Sequence, residues 1–328
     1  MTDGLQVRTL DRTAPSGDRG TGDDDGEGRG RRAPRRAKPA GRVTGSRWFT
    51  PYLFMAPGLA LFALMFLWPV VLTLQMSVSS YDIVSPPEFV GTANFERMLV
   101  DDRFHRAVAN SFAFLLLYLP LAVVVPLFLA LLVNRKLPGI QGFRVAYYLP
   151  VITSMVAVAV AWRFLLSREG VVNWMLDLVG LGPIAFLLDT GWALPTVVAI
   201  EGWKNLGFYM MIYLAALQGI PREHIEAARV DGANGAQRLL HVIMPALLPF
   251  FAVTLTLGML EAMKNFETIY VMTRGGPQDA TLTLGYYIWH LAFERNQMGY
   301  ANAVGLFLWV TMIVLAVLNL FVTRRSNA

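Results

Sequence analysis

The 328-residue chain contains no cysteine. A disulfide framework and a thiolate metal site are therefore both excluded. Charged residues are also scarce: they make up 16% of the chain, whereas 55% of the residues are hydrophobic. The mean hydropathy of +0.46 is too high for an ordinary soluble domain and is typical of a protein with several membrane spans.

The sequence also lacks the usual motifs of nucleotide binding and hydrolytic chemistry. No Gly-Lys pair occurs, so there is no G-x-x-x-x-G-K-[ST] loop to hold ATP. Neither H-E-x-x-H nor G-x-S-x-G is present, and the four histidines are scattered along the chain. We therefore expect no catalytic residues, no bound metal and no cofactor.

Residues 1–47 differ in composition from the rest of the chain. They hold 11 lysines and arginines and 7 acidic residues, and so carry +4 of the net charge of +5. The segment is rich in Gly, Asp and Arg and has too few large apolar residues to offset the entropy lost on folding. We predict a disordered tail. A cleavable signal peptide is excluded, because the apolar segment that follows is too long for one.

Six later segments are each long enough and apolar enough to cross a bilayer, which takes roughly 20 residues of helix. We predict an all-α integral membrane protein, in which residues 48–328 form one domain of six transmembrane helices. The predicted spans are residues 50–79, 109–133, 145–166, 192–218, 243–270 and 301–323.

Basic residues alternate between successive loops, and the loops richer in Lys and Arg lie on the cytoplasmic side of a membrane. The basic segments precede the first span, follow the second and the fourth, and end the chain. We therefore predict that both termini, including the tail, are cytoplasmic. The residues concerned are eight between Arg29 and Arg47, then Arg135, Lys136, Arg144, Arg222, Arg229, Arg238, Arg324 and Arg325.

One of these cytoplasmic loops, with the sequence EAARVDGANGAQRLLHVIMP at 226–245, is polar and has a helical pattern. Pro221 suits the first position of a helix, and Gly232 suits its end. Spacing alone leaves two interpretations open. The helix docks a partner protein, which the small Ala227 and Ala228 would allow to approach closely, or it lies in the lipid headgroups.

The loop resembles the EAA signature of the membrane subunits of bacterial ABC importers. In that signature three residues separate EAA from a glycine, and nine more precede a hydrophobic stretch that ends in proline. The usual ending Ile-x-Leu-Pro is replaced here by the apolar residues Val-Ile-Met before the proline. The resemblance implies that this loop couples the chain to an ATPase. The matching residues are Glu226, Ala227, Ala228, Gly232 and Pro245.

Other stretches resemble the carbohydrate branch of this family, the maltose-importer type. They are FVGTANFERML, FRVAYYLPVITSMVAVAVAWRFLLSREGVVN and VMTRGGPQDATLTLGYYIW. The resemblance covers most of the chain after residue 48. It implies the type I ABC importer permease fold in the bacterial cell membrane, with the coupling loop at about 221–245. It also implies a second homologous permease, two ATPase subunits that hold ATP and Mg²⁺, an extracytoplasmic solute-binding protein and a sugar substrate.

Polar residues inside two predicted spans mark a candidate substrate path, because an ionisable group there costs about 2.5–3.5 kcal/mol. Glu201 and Asn205 are four residues apart in the fourth span, and Glu261 and Asn265 repeat that spacing in the fifth. Each pair is expected to share a helix face. Carboxylates and amides suit sugar hydroxyls, whereas a phosphate would favour arginine or lysine clusters. The alternative is structural: neighbouring lysines pair with the glutamates and hold helices together.

The resemblance adds further candidates for the substrate site. In maltose-type permeases, the polar residues just before the Gly-Gly-Pro loop line the sugar site, as do residues of the fourth span. The glycine of the fourth span also suits close packing of two helices, so its role stays open. The residues that match by position are Asn265 and Glu261 before the loop, and Leu206, Gly207 and Tyr209 in the fourth span.

The leading hypothesis is a non-enzymatic permease subunit of an ATP-driven importer for a sugar, expected to be a di- or oligosaccharide. An importer of glycerol 3-phosphate or another polyol phosphate is the first alternative, and the shortage of arginine within the spans argues against it. An ion-coupled carrier acting alone would be supported by an inverted repeat with broken helices, and we find no such repeat. A membrane enzyme lacks a catalytic constellation.

Overall fold

The structure is a computed structural model that describes residues 50–134 and 139–326. The predicted disordered tail, Arg135, Lys136 and the two final arginine side chains lie outside the described residues. By its contacts the chain separates into residues 1–58 and 59–328, and the packing reported below concerns the second unit. The described part is helical apart from one antiparallel pair of two-residue strands, β1 (Ser79–Ser80) and β2 (Glu88–Phe89).

Fifteen α-helices are found in the described residues. The first eight are α1 (Thr50–Phe62), α2 (Trp68–Ser77), α3 (Ala93–Val100), α4 (Asp102–Leu119), α5 (Val125–Val133), α6 (Ile140–Ile152), α7 (Met155–Leu165) and α8 (Val171–Leu178). The others are α9 (Ala193–Gly219), α10 (Arg222–Val230), α11 (Gly235–Arg238), α12 (Met244–Met263), α13 (Glu267–Met272), α14 (Leu284–Trp289) and α15 (Met298–Ser326).

Short π-helical turns join several of these helices, and three of the turns end two residues before a proline. In each of the three, the residue just before the proline donates its N–H to the carbonyl five residues earlier. A proline has no N–H, and its ring clashes with the carbonyl four residues back, so the wider turn lets the helix continue. The turns are Ala63–Leu67 before Pro69, Pro120–Val124 before Pro126, and Leu239–Ile243 before Pro245.

Four helical stretches in the described part are long and apolar enough to cross a membrane, and they agree with the first, second, fifth and sixth predicted spans. The prediction of a single third span at 145–166 is wrong in one respect, because that segment is a pair of helices bent by 100°. Thr153 and Ser154 form the break, with extended ψ values of 142° and 133°. The four stretches are Tyr52–Ser77, Asp102–Val133, Gly235–Met272 and Met298–Thr323.

The fourth and the fifth predicted spans differ from regular apolar helices. The fourth corresponds to α9, which has 27 residues but is not among the apolar stretches found in residues 50–134 and 139–326; it carries Glu201, Lys204 and Asn205 in its middle. The fifth is interrupted, because α12 ends at Met263 and α13 begins at Glu267. Asn265 therefore lies in a break, and its expected helical relation to the glutamate four residues earlier does not hold.

Two hydrophobic clusters show how the long helices are aligned. One cluster joins the end of α5 at Val133, the end of α9 at Leu217 and the start of α12 at Leu247. The other includes Phe104 at the start of α4 and Tyr300 at the start of α15. Since α4–α5 and α9 run in the same direction, the segment between α9 and α12 lies at one end of the helices. The starts of α4 and α15 lie at the other.

Candidate functional site

The predicted coupling loop is a helical hairpin between α9 and α12. Its first helix, α10, begins just after Pro221, one residue later than predicted. Gly232 ends it with φ +81°, a left-handed conformation that favours glycine. The Gly232 N–H donates to the Arg229 carbonyl at 3.1 Å, and the Ala233 N–H donates to the Ala228 carbonyl at 2.9 Å. These two bonds form a Schellman motif, so the predicted stop is confirmed.

The second half of the hairpin is held by its own polar contacts. Asn234 accepts the Gln237 N–H at 2.9 Å, and the Gln237 side chain accepts the Asn234 N–H at 2.8 Å. This reciprocal capping box satisfies amides at the start of α11. Arg238 donates to the Ala233 carbonyl at 3.0 Å and closes the turn. The hairpin is therefore held in shape by its own hydrogen bonds.

Four residues of the EAA resemblance lie on this hairpin, and the fifth, Pro245, lies in the first turn of α12. Glu226 and Ala227 are exposed, as are Gly232 and Pro245, whereas Ala228 is half-buried. Small residues beside an exposed carboxylate leave room for another protein surface to approach the helix axis. The structure thus brings the predicted coupling residues together at one end of the molecule.

A buried polar cluster connects three helices near the middle of α9. Glu201 is only 4% exposed. Its carboxylate accepts a hydrogen bond from Asn205 at 3.0 Å and one from the hydroxyl of Thr268. The same Asn205 amide also donates to the hydroxyl of Tyr118 at 3.1 Å. The predicted shared face of Glu201 and Asn205 is confirmed, and through it α4, α9 and α13 are joined.

Asn265 lies beside this cluster in the break between α12 and α13. It is 6% exposed, and its side-chain oxygen has no hydrogen-bond partner among the described residues. The Asn265 backbone carbonyl accepts a hydrogen bond from the Thr283 hydroxyl at 3.2 Å. The same carbonyl lies so close to Gly285 that a β-carbon on residue 285 would overlap it. A buried amide oxygen without a partner is costly, which makes this oxygen a candidate acceptor for a ligand hydroxyl.

The other predicted substrate residues differ in their surroundings. Glu261 forms an ion pair with Lys264 at 3.0 Å, as the structural alternative predicted. Leu206 is half-buried and Tyr209 is buried. At Gly207 a β-carbon would overlap the backbone at residue 147 of α6, so this glycine lets the two helices pack closely. The substrate role of these four residues remains a prediction.

A second polar cluster, absent from the sequence-based predictions, lies at the opposite end from the hairpin. Asp101 caps α4 by accepting the backbone N–H groups of Arg103 and Phe104 at 3.0 and 3.3 Å. It also accepts the hydroxyls of Tyr287 at 2.6 Å and Tyr300 at 2.7 Å. Burial alone would raise the pKa of Asp101, but the four hydrogen bonds outweigh burial and lower it below the usual value.

Sequence reasoning missed Tyr118 and Thr268, which complete the Glu201 cluster, and the partners of Asp101. These residues are separated by tens to hundreds of positions along the chain, and no local spacing joins them. Only the position of Asp101, just before the apolar pattern of α4, carries a signal, because aspartate favours the first position before a helix.

The long apolar helices, the buried polar clusters within them and the polar hairpin between two of them define an all-helical membrane transport component. Residues 98–327 match the family described as "Binding-protein-dependent transport system inner membrane component". The chain belongs to this family. The match is to binding-protein-dependent systems, and it does not favour the alternative of a carrier acting alone or of a membrane enzyme.

Several curated relatives are similar over most of their length. The "Lactose transport system permease protein LacF" of Rhizobium radiobacter is 33% identical over 84% of this chain and 94% of its own. The "Arabinooligosaccharides transport system permease protein AraP" of Bacillus subtilis is 29% identical over 84% of this chain and 88% of its own.

A solved structure shares the fold. A chain of a bacterial alginate ABC transporter, crystallised "in complex with alginate pentasaccharide-bound periplasmic protein", has a TM-score of 0.74 and 28% identity. The match covers 84% of this chain and 94% of that one. The predicted ABC importer permease fold is therefore confirmed.

Proposed function

We propose that this chain is one of two permease subunits of an ATP-driven importer that takes up a di- or oligosaccharide. The observation that carries the proposal is the self-capped hairpin with its exposed EAA residues, in a chain of a binding-protein-dependent transport family. The remaining partners are a homologous permease, two ATPase subunits that hold ATP and Mg²⁺, and an extracytoplasmic solute-binding protein. The chain itself performs no catalysis and holds no cofactor.

In the proposed topology the chain crosses the bacterial cell membrane six times, and α9 and the bent α6–α7 pair are two of the six spans. Both termini and the hairpin at 221–245 are cytoplasmic, and residues 1–47 form a tail outside the transmembrane domain of 48–328. The polar middle of α9 is explained if it faces the pathway and not lipid, since intramembrane charges are tolerated where they face protein or water.

We assign the contact with the ATPase to Glu226, Ala227, Ala228, Gly232 and Pro245. ATP-driven closure of the ATPase dimer would move the hairpin and rock the helices around a central cavity. The helix ends of the hairpin are fixed by internal hydrogen bonds. Because the hairpin is rigid, a movement of the ATPase would be passed on to α9 and α12.

The coupling role is tested by Glu226→Lys in the purified importer, reconstituted in liposomes with its partners. We expect sugar uptake and sugar-stimulated ATP hydrolysis to fall about tenfold or more, because reversing a charge in a docked interface brings like charges together, which costs several kcal/mol. Glu169→Lys makes the same exchange at an exposed residue of another loop and should leave both rates unchanged. Normal uptake by Glu226→Lys would refute the coupling role.

For the substrate we propose a neutral sugar that binds near Asn265, in agreement with the sugars in the names of the relatives. The free amide oxygen of Asn265 and the neighbouring Glu201, Asn205, Leu206, Gly207, Tyr209 and Glu261 form the proposed site. Lactose and arabino-oligosaccharides are the first substrates to compare. Uptake of a polyol phosphate with no uptake of sugars would overturn this assignment.

A further inference from the structure

A cavity of about 390 Å³ lies at the end of the molecule opposite the hairpin, between α3, the start of α4, α14 and the turn before α15. Three arginines and a histidine line it, and Asp101 is its one acidic lining residue. The Asp101 carboxylate is already occupied by four hydrogen bonds. The cavity, called the arginine notch below, therefore offers guanidinium donors, while its one lining carboxylate already has hydrogen-bond partners.

Two of the notch arginines have no carboxylate partner among the described residues. The Arg97 guanidinium lies 4.1 Å from the centre of the Tyr300 ring and donates to the Gln297 side chain at 2.9 Å. Arg295 donates from Nε to the His290 ring at 3.4 Å. Both arginines are exposed, and most of their N–H groups are left for a ligand.

The other basic groups of the notch are compensated. Arg103 forms a bidentate salt bridge with Asp279, with N···O distances of 2.8 and 3.0 Å. His290 contacts the Glu294 carboxylate through Nδ1 at 2.6 Å, and its Nε2 faces Arg103 at 3.2 Å. These pairs hold the wall of the notch in place, and Arg97 and Arg295 are the two arginines of the notch that form no ion pair within the described residues.

The position of the notch limits what could fill it. It lies at the starts of α4 and α15, which by the proposed topology are extracytoplasmic. A planar guanidinium with free donors is the group best suited to a carboxylate. The solved alginate transporter that shares this fold was crystallised with a periplasmic protein bound, so a protein surface is a reasonable occupant of this face.

We propose that the arginine notch receives an acidic side chain of the extracytoplasmic solute-binding protein, with Arg97 and Arg295 as its two contacts. This inference rests on the proposed function and adds to it the recognition residues on the permease side. The fixed guanidinium of Arg97, stacked on Tyr300, needs little ordering when the carboxylate arrives, which favours binding. Charge pairs of this kind also speed the encounter and make it sensitive to salt.

The occupant is identified by photocrosslinking in cells that express the complete importer. A photoreactive amino acid replaces Val100, which lines the notch and is 78% exposed, and in the control it replaces the adjacent Leu99, which is 75% exposed and outside the notch. We expect the Val100 probe to form an adduct with the solute-binding protein at a peptide containing Asp or Glu. Adducts only with the partner permease, or no adduct, would refute the inference.

Charge reversal then tests the two arginines. Arg97→Glu and Arg295→Glu should each weaken binding of the solute-binding protein so identified by about tenfold, while ATP hydrolysis without that protein is unchanged. Arg106→Glu is the matched control, because Arg106 is an exposed arginine of the same region that does not line the notch. Changing the crosslinked acid to lysine should restore binding to the reversed variants.

The outcomes separate this inference from the proposed function. If the wild-type importer takes up no sugar and no binding protein stimulates it, the proposed function fails. If it works normally and both reversed variants bind the solute-binding protein as tightly as Arg106→Glu, only the notch inference fails. Weakened binding of a carboxylated sugar with unchanged binding of the protein would also overturn the inference.

Discussion

The carboxylate of Asp101 joins helices that are far apart along the chain. It accepts hydrogen bonds from Tyr287 and Tyr300 as well as from two amides of α4. All four bonds favour the ionised form, which is why the pKa is lowered although burial alone would raise it. The interaction is stronger while Asp101 is charged, so its contribution to stability depends on pH.

We predict that Asp101→Asn lowers the Tm at neutral pH and reduces the pH dependence of the Tm. A lowered pKa in the folded state means that the stabilisation is present above the ordinary pKa of 3.8 and is lost as the pH falls through the folded-state value. Thermal unfolding in detergent, compared between about pH 6 and about pH 3, measures this. A difference between the two proteins that does not shrink at low pH would contradict the assignment.

A second prediction concerns Glu201. Glu201→Ala leaves the hydroxyl of Thr268 and the amide of Asn205 without their acceptor, at a cost of about 1–3 kcal/mol, and should lower both the Tm and sugar uptake. Glu201→Gln keeps an acceptor oxygen and should recover most of the loss. Glu267→Gln changes an exposed residue of the same region and should have no effect. Equal Tm values for Glu201→Ala and Glu267→Gln would show that the cluster contributes nothing.

The pairing of Glu201 with Asn205 could be predicted because both lie on one regular helix, where residues four apart are neighbours. The same rule failed for Asn265, because it assumes that the helix continues, and α12 ends at Met263. The sequence around 264–266 contains no proline or glycine that would predict the end of α12. The break depends on contacts from other parts of the chain, among them the Thr283 hydroxyl on the Asn265 carbonyl.

At the scale of the secondary-structure elements, the end of α10 gives a direct test of the hairpin. Gly232→Ala places a β-carbon at φ +81°, which costs about 1–2 kcal/mol. Gly235→Ala meets open space at a glycine without a positive φ and serves as the control. We expect faster hydrogen exchange of the amides at 228–238 in Gly232→Ala alone. Equal exchange in both variants would show that the Schellman motif does not hold the hairpin.

The positions of the long apolar helices and of the loop helix could be predicted, because apolar length and the placement of Gly and Pro are local signals. The exceptions are non-local or geometrical. The 100° bend between α6 and α7 lies at Thr153 and Ser154, which read as an ordinary part of an apolar run. The π-helical turns were also not predicted. The prolines that follow three of them are nevertheless residues known to disturb a regular helix.

At the scale of the whole molecule, the absence of cysteine makes the proposed topology easy to test. We predict that Val84→Cys is labelled only from the extracytoplasmic side by a membrane-impermeant thiol reagent, and Val230→Cys only from the cytoplasmic side. The two valines are matched in exposure, at 89% and 88%, so a difference in labelling reports sidedness. The ATPase partner is stripped from the membrane vesicles before labelling so that Val230 is not shielded. Labelling of both from the same side would overturn the topology.

The exposed valine of α10 has a consequence for how cells must produce this protein. If α10 docks the ATPase as proposed, this apolar surface is uncovered whenever the partner is missing, and uncovered interface surface is recognised by chaperones and membrane proteases. We therefore expect the lifetime of the chain in the cell to follow the supply of its ATPase. Subunit balance would then be enforced by degradation of the unpaired copies.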